Sequence, residues 1–302
     1  MKKTMQNKDA FGSYHPLVNF LYFGILLTFS MLSMQPVCLL ISAVCAALYY
    51  ITLKGAKAVR LLLRGVIPVF LLTVIINPAF SHGGETTLCY FPNGNPLTLE
   101  SILYGLAAAL MLSGILLWFA CFSEVVTSDK FVYLFGRIIP ALSLLLSMTL
   151  RFIPRFIAQF DTVKEVQKMM GRDTADGKLP ARIKNAVACF SIVVTWSMEN
   201  AIETADSMKA RGYGSKKRTA YSIYRWEDRD LTALLFLLFC GLFLLSGGLA
   251  GKLFWRYYPN IRGLLTDPIT LLLELTFLAL CVMPVYLERK ERRTWNYFRS
   301  SI

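Results

Sequence analysis

Apolar residues run along this chain in long blocks, separated by short stretches that are charged or rich in turn formers. Runs almost free of charge fall at 17–34, 37–53, 65–80, 101–122, 231–249 and 269–286. A bilayer core of ~30 Å needs about 20 residues of apolar helix, so each run is a candidate span. Only helices and closed barrels cross a membrane, and blocks without strict alternation select helices. The pattern therefore predicts an all-α integral membrane protein with about six transmembrane helices. Pro36 marks a tight turn between the first two spans, because proline continues neither helix. The third run, 65–80, is short and contains Pro68 and Pro78.

Between 123 and 230 the pattern changes. The segment "ALSLLLSMTL" at 141–150 is apolar but too short to cross, which predicts a partly buried or interfacial helix. Pro154 follows and predicts a kink or a restart. A second pass, "RFIAQFDTVKEVQKMM", reaches Gly171, and the polar "GRDTADGKLP" breaks the chain before a long helix over 181–211. In that helix Ile183, Val187, Phe190, Val194, Met198, Ala201, Ala205 and Met208 recur every three or four positions and form one apolar face. The other faces carry Arg182, Lys184, Glu199, Glu203, Asp206 and Lys209. Such a rod, about 45 Å long, is built to lie against something oily and to end in a basic tip. The chain thus divides into a four-span membrane domain (1–122), an amphipathic-helix domain (123–230) and a two-span segment with a basic tail (231–302).

Charge orients these elements. With both termini in the cytoplasm, the inside segments 1–16, 54–64, 123–230 and 287–302 hold three, four, seventeen and five Lys/Arg, so 29 of 32. Lys252, Arg256 and Arg262 remain outside, and 81–100 has none, which is the positive-inside distribution of a multi-pass plasma-membrane protein. Orientation thus accounts for most of the net charge of +13, and nucleic acid is not an expected partner. Lys2, Lys3 and Lys8 precede the first apolar run without a small-residue cleavage pattern, so this N-terminus reads as retained. The loop 81–100 is rich in Gly, Pro and Asn and predicts a short hairpin, with His82 as a solvated loop residue.

Chemistry-bearing constellations are sparse. The seven cysteines form no CxxC pair, and His15 and His82 are the only histidines. Neither a disulfide framework, nor a metal site, nor a cofactor is expected. A Walker A loop and a Ser/His/Asp set are both missing from the sequence, so the chain reads as non-catalytic.

One stretch stands out: "TADSMKARGYGSKKR", where the long rod ends at Ala210-Arg211-Gly212. Gly212 suits the C′ position of a helix end, and Arg211 in the last turn gains about 0.3–1 kcal/mol from the helix dipole. Capping alone accounts for these three residues. The second account is a guanidinium that enters an acidic groove on another protein through two hydrogen bonds, with the helix as the mechanical link.

With "LRFIP" (Leu150 to Pro154) preceding the rod and the N-terminal spans before it, the chain resembles the transmembrane T component of energy-coupling factor (ECF) transporters, the EcfT/CbiQ family. The resemblance implies a subunit that links two cytoplasmic ABC-type ATPases (EcfA-like) to a substrate-binding membrane S component, for uptake of a vitamin or related micronutrient. It also implies two coupling helices, each ending in an Ala-Arg-Gly-like tip that docks on one ATPase. The second tip falls on Ala210, Arg211 and Gly212. The first falls on Met170, Gly171 and Arg172 and departs from the pattern: Met170 stands in the arginine position, and Arg172 follows one place late. That departure implies apolar docking of the first tip, two chemically different sites and a pair of non-identical ATPases.

Two other readings compete. A secondary transporter needs ionisable groups within its spans, and the six runs hold only Glu274. That residue is expected to face the bundle interior, paired or hydrated. A membrane-anchored interaction protein would lay its basic rods on anionic lipid.

Overall fold

The computed structural model describes residues 9–81, 83–90, 96–136, 139–172, 178–213, 224–263 and 267–300. His82 lies outside them, as do residues 214–218 of the basic stretch. Among the described residues ten α-helices follow one another: α1 (Pro16–Leu32), α2 (Pro36–Lys54), α3 (Ala56–Leu61), α4 (Ile67–Phe80), α5 (Leu99–Val125), α6 (Ser128–Gly136), α7 (Pro140–Met169), α8 (Leu179–Ala210), α9 (Asp228–Leu249) and α10 (Pro268–Ser300). The described residues up to 127 and from 224 onward form one compact unit, and those from 128 to 213 a second.

In the first unit five helical stretches are long and apolar enough to cross a bilayer: Pro36–Lys54, Ala56–Phe80, Leu99–Val125, Asp228–Leu249 and Pro268–Thr294. The apolar α1 is a shorter sixth. The chain is thus an all-α, multi-pass membrane protein. The third span corrects the sequence reading of 65–80, for it begins at Ala56. A wide π turn at Leu62–Val66 joins α3 to α4 just before Pro68. Pro68 has no N–H and its ring crowds the carbonyl of Arg64, and a widened turn absorbs both faults without ending the helix. Lys57, Arg60 and Arg64 are therefore helical and exposed at one end of the span, where long cations reach an interface. Beyond them Leu71, Leu72, Ile75, Ile76 and Phe80 are also exposed, as lipid-facing side chains are.

The core of this unit is aromatic. Trp118 of α5 is fully buried and donates from Nε1 to Ser42 Oγ of α2 at 3.0 Å. The Tyr22, Phe23 and Tyr49 rings lie 6.3–6.4 Å from it between centroids. The segment before α1 is tied down on three sides. Ala10 N donates to Glu288 of α10 (2.8 Å), Tyr49 of α2 donates to Asp9 (2.9 Å), and His15 N donates to Asp230 of α9 (3.0 Å). Burial pushes the Asp9 carboxyl up to about 6; neighbouring Glu288 adds to the rise, and the hydrogen bonds from Tyr49 and Gly12 oppose it. The Asp230 carboxylate also caps α9 reciprocally with Glu227.

Glu274 is paired, as its position in the sequence suggested. Gln35, 1% exposed in the α1–α2 turn, donates its amide to the Glu274 carboxylate. In the loop before α5, β1 (Thr87–Tyr90) pairs antiparallel with β2 (Pro96–Thr98), matching the expected hairpin. A second two-stranded ribbon, β3 (Trp255–Arg256) with β4 (Arg262–Gly263), was not legible in the sequence. Six of the seven cysteines are buried, and Cys89 on β1 is exposed.

Candidate functional site: the two helix tips

The second unit holds α6, α7 and α8. The sequence predicted a kink or restart at Pro154; the helix does not restart there, for α7 runs as one 30-residue helix with Pro154 inside it. Phe152 and Phe156 stack on either side of the proline (5.9 Å between centroids), so one packed face continues across the missing hydrogen bond. Leu150 to Pro154 therefore lies in mid-helix.

α7 and α8 meet over a limited stretch. Phe156 meets Trp196 edge-on at 6.2 Å, while Phe160 and Val163 close over Cys189 and Val193. Moving up α7 from 156 to 163 means moving down α8 from 196 to 189, so the helices are antiparallel. About 14 Å of helix leads from this crossing to Met170, and about 30 Å leads in the opposite sense to Arg211. The side of α8 that packs on α7 is not the side the periodicity picked out. Ile183, Val187, Phe190 and Met198 lie roughly a third of a turn away and are 56–66% exposed. The apolar face is real, and within this unit it is open.

Both helices end in the same backbone motif. At the end of α7, Gly171 N donates to Lys168 O (3.0 Å) and Arg172 N to Gln167 O (2.9 Å), with Gly171 at φ +75°. At the end of α8, Gly212 N donates to Lys209 O (2.9 Å) and Tyr213 N to Met208 O (3.1 Å), with Gly212 at φ +78°. Each is a complete Schellman cap, whose left-handed glycine satisfies carbonyls the helix leaves orphaned. The caps give an unambiguous register: Gly171 matches Gly212, Met170 matches Arg211, Met169 matches Ala210, and Arg172 matches Tyr213. Lys168 and Lys209 coincide, and so do Glu165 and Asp206.

All six residues singled out from the sequence (Met170, Gly171, Arg172, Ala210, Arg211, Gly212) are exposed at these ends. The structure brings them together as two triplets at opposite ends of an antiparallel pair, not as one cluster. Sequence reasoning passed over Val166 and Met169, which share the exposed face of Met170. Their i, i+3, i+4 spacing was the available signal.

The chain that carries these two capped helices resembles known proteins. The cobalt transport protein family CbiQ matches residues 13–221, which takes in both tips and more than half of the chain. The chain belongs to this family. Among CbiQ/EcfT relatives, the energy-coupling factor transporter transmembrane protein EcfT 1 of Listeria monocytogenes is 30% identical over 218 residues, 67% of this chain and 78% of that protein. EcfT of Staphylococcus aureus is 27% identical over 187 residues, 57% of this chain and 69% of its own length. EcfT of Lactobacillus helveticus is 34% identical over 106 residues, 34% and 38% of the two chains. An ECF-type transmembrane component is what these likenesses support.

In this CbiQ/EcfT chain the glycine caps carry a direct prediction. Alanine in the left-handed region costs about 1–2 kcal/mol, so Gly212→Ala will loosen the last turn of α8. Hydrogen exchange at the Gly212 and Tyr213 amides should rise roughly five- to thirtyfold, while the crossing at Cys189 and Val193 keeps its protection. Unchanged exchange at the tip would mean that the cap does not hold it.

Proposed function

We propose that this chain is the coupling subunit of an ECF-type ABC importer for a vitamin or related micronutrient, transmitting ATP-driven motion of two cytoplasmic ATPase subunits to a substrate-binding S component. The observation that carries this reading is the pair of identically capped, exposed helix ends at opposite ends of one antiparallel helix pair. A stiff rod that ends in an ordered, solvent-facing tip passes displacement along its length, and two such tips serve two partners. The partners are named by the family, and by the printed names of the relatives only as far as an ECF transporter. The open apolar face of α8 offers a surface to a membrane-embedded S component, and the lipid-facing side of the third span belongs to the surrounding bilayer. Hydrolysis falls to the ATPases; Arg211 and the Met170 tip do no chemistry. Pairing of Glu274 with Gln35 argues against the secondary-transporter reading, because a side chain fixed by a buried amide is a poor proton relay.

The reading places residues 123–230 and both termini in the cytoplasm and the β1–β2 hairpin outside. Cys89 tests this without engineering a cysteine-free chain, since the other six cysteines are buried. A membrane-impermeant maleimide should label intact cells through Cys89, and Cys89→Ser should abolish most of the signal. Labelling that appears only after lysis would reverse the orientation. Affinity purification in mild detergent tests the partnership: two ABC ATPase subunits and a small membrane protein should co-elute.

A further inference from the structure

We propose that the first tip is a methionine plug: Met169 and Met170, with Val166 behind them, enter an apolar socket on one ABC-type ATPase subunit, while Arg211 enters a carboxylate-lined groove on a different one. This rests on the coupling reading above and states which chemistry each partner presents.

The argument begins from the caps. Because both helix ends are Schellman motifs in the same register, side chains at matching positions leave their helices in matching directions. Position by position, the outward face of the α8 tip is Ser207, Ala210 and Arg211, and that of the α7 tip is Val166, Met169 and Met170. The α7 residues stand 46%, 81% and 68% exposed. Three contiguous apolar side chains at the end of a rod, two of them nearly bare, mark a contact surface rather than a solvated end. Methionine is unbranched and polarisable, and it fills irregular apolar pockets. Arginine needs the opposite, a site with acceptors for its planar donors.

One groove chemistry cannot serve both tips. A carboxylate-lined groove that received Met170 would bury unpaired charge, and an apolar socket that received Arg211 would strand the guanidinium. Lys168 and Arg172 flank the methionines, which suits a socket with an acidic rim and an apolar floor. Lys209 occupies the same place beside Arg211, so the rim is common to both sites and the floor differs. The tips thereby dictate which ATPase sits at which end. A lipid headgroup layer is the other surface that could take up exposed methionines, but an ordered glycine cap repeated at the second tip favours a protein socket.

The test uses the full chain co-expressed with its cellular partners, purified in mild detergent and weighed intact by native mass spectrometry. Wild type should carry two ATPase subunits of different mass. Met169→Ser with Met170→Ser should lower the occupancy of one of them more than fivefold and leave the other in place, and Arg211→Ala should remove the other. Met170→Leu should keep both, whereas Met170→Arg, which imitates the α8 tip, should release the first subunit at least tenfold. Thermal unfolding of each variant should match wild type, because these side chains are largely exposed. Two identical ATPases, full occupancy in the double serine variant, or full occupancy in Met170→Arg would each overturn the plug. Both ATPases retained in the double serine variant, with hydrogen exchange at the α7 tip raised in lipid nanodiscs free of ATPase, would assign the methionines to lipid and overturn it as well. If wild type carries no ATPase, or Arg211→Ala keeps both, the coupling reading itself has failed.

Discussion

Arg211→Ala leaves the membrane level of the chain unchanged and lowers ATPase association or transport by well over tenfold. Both halves of this expected result follow from where the residue stands. Arg211 is the C-cap residue of α8, at φ −82° and ψ 6°, exposed and followed by the glycine that forms the cap. The hydrogen bonds that end the helix are made by backbone groups of residues 207–213, so alanine retains them. Folding therefore loses only the dipole contribution of about 0.3–1 kcal/mol. A partner whose desolvated carboxylate loses its guanidinium is penalised by about 2–5 kcal/mol. Arg211→Lys should recover only part of the loss, because a point charge cannot reproduce two parallel hydrogen bonds. Co-purification yield and uptake into cells or proteoliposomes are the measurements. Full complex yield with full uptake in Arg211→Ala would reduce the residue to a helix cap.

Trp118→Ala is the second change of large expected effect, and it acts on the membrane unit. The indole is completely buried among Tyr22, Phe23 and Tyr49, and its N–H is satisfied by Ser42. Inside a bilayer, burial gains little from exclusion of water, so what is lost is close packing and one hydrogen bond. Truncating such a side chain costs about 3–5 kcal/mol, enough to exhaust much of a typical stability. The expected outcome is a sharp fall in folded yield and in the midpoint of thermal unfolding in detergent. Trp118→Phe should recover most of it, because the ring volume returns while Ser42 keeps Ser30 as a partner at 3.2 Å. An unfolding midpoint unchanged in Trp118→Ala would mean that this aromatic cluster does not hold the bundle together.

How much of this was legible in advance varies with the kind of information each element carries. Span number and type were legible because a run of about 20 apolar residues has few physical alternatives. The ends were less so. The third run read as a short span starting at 65, yet its helix begins at Ala56 and passes Pro68 on a π turn, and Pro154 read as a kink or restart where the helix does not restart. Proline removes a single hydrogen bond, and whether the helix survives depends on what packs on either side of it, which lies outside the local window. The glycines at 171 and 212 were legible as helix ends. Their identical hydrogen-bond pattern was not, since Arg172 and Tyr213 share no chemistry that would suggest matching positions.

The apolar face of α8 marks the boundary between what the sequence determined and what only tertiary structure decided. Periodicity established by itself that Ile183, Val187, Phe190, Val194 and Met198 share a side of the helix, because a period of 3.6 residues leaves no other arrangement. The sequence alone also determined the membrane class, the uneven charge of the segments between spans, and the Ala-Arg-Gly end. Which side of α8 meets α7 was decided by the fit of Phe156, Phe160 and Val163 against Cys189, Val193 and Trp196, residues more than 25 positions apart in the chain. The same holds for Glu274, whose place against Gln35 depends on how α10 lies beside the α1–α2 turn. Local periodicity is a property of one helix, whereas pairing is a property of two surfaces that the chain brings together only when it folds.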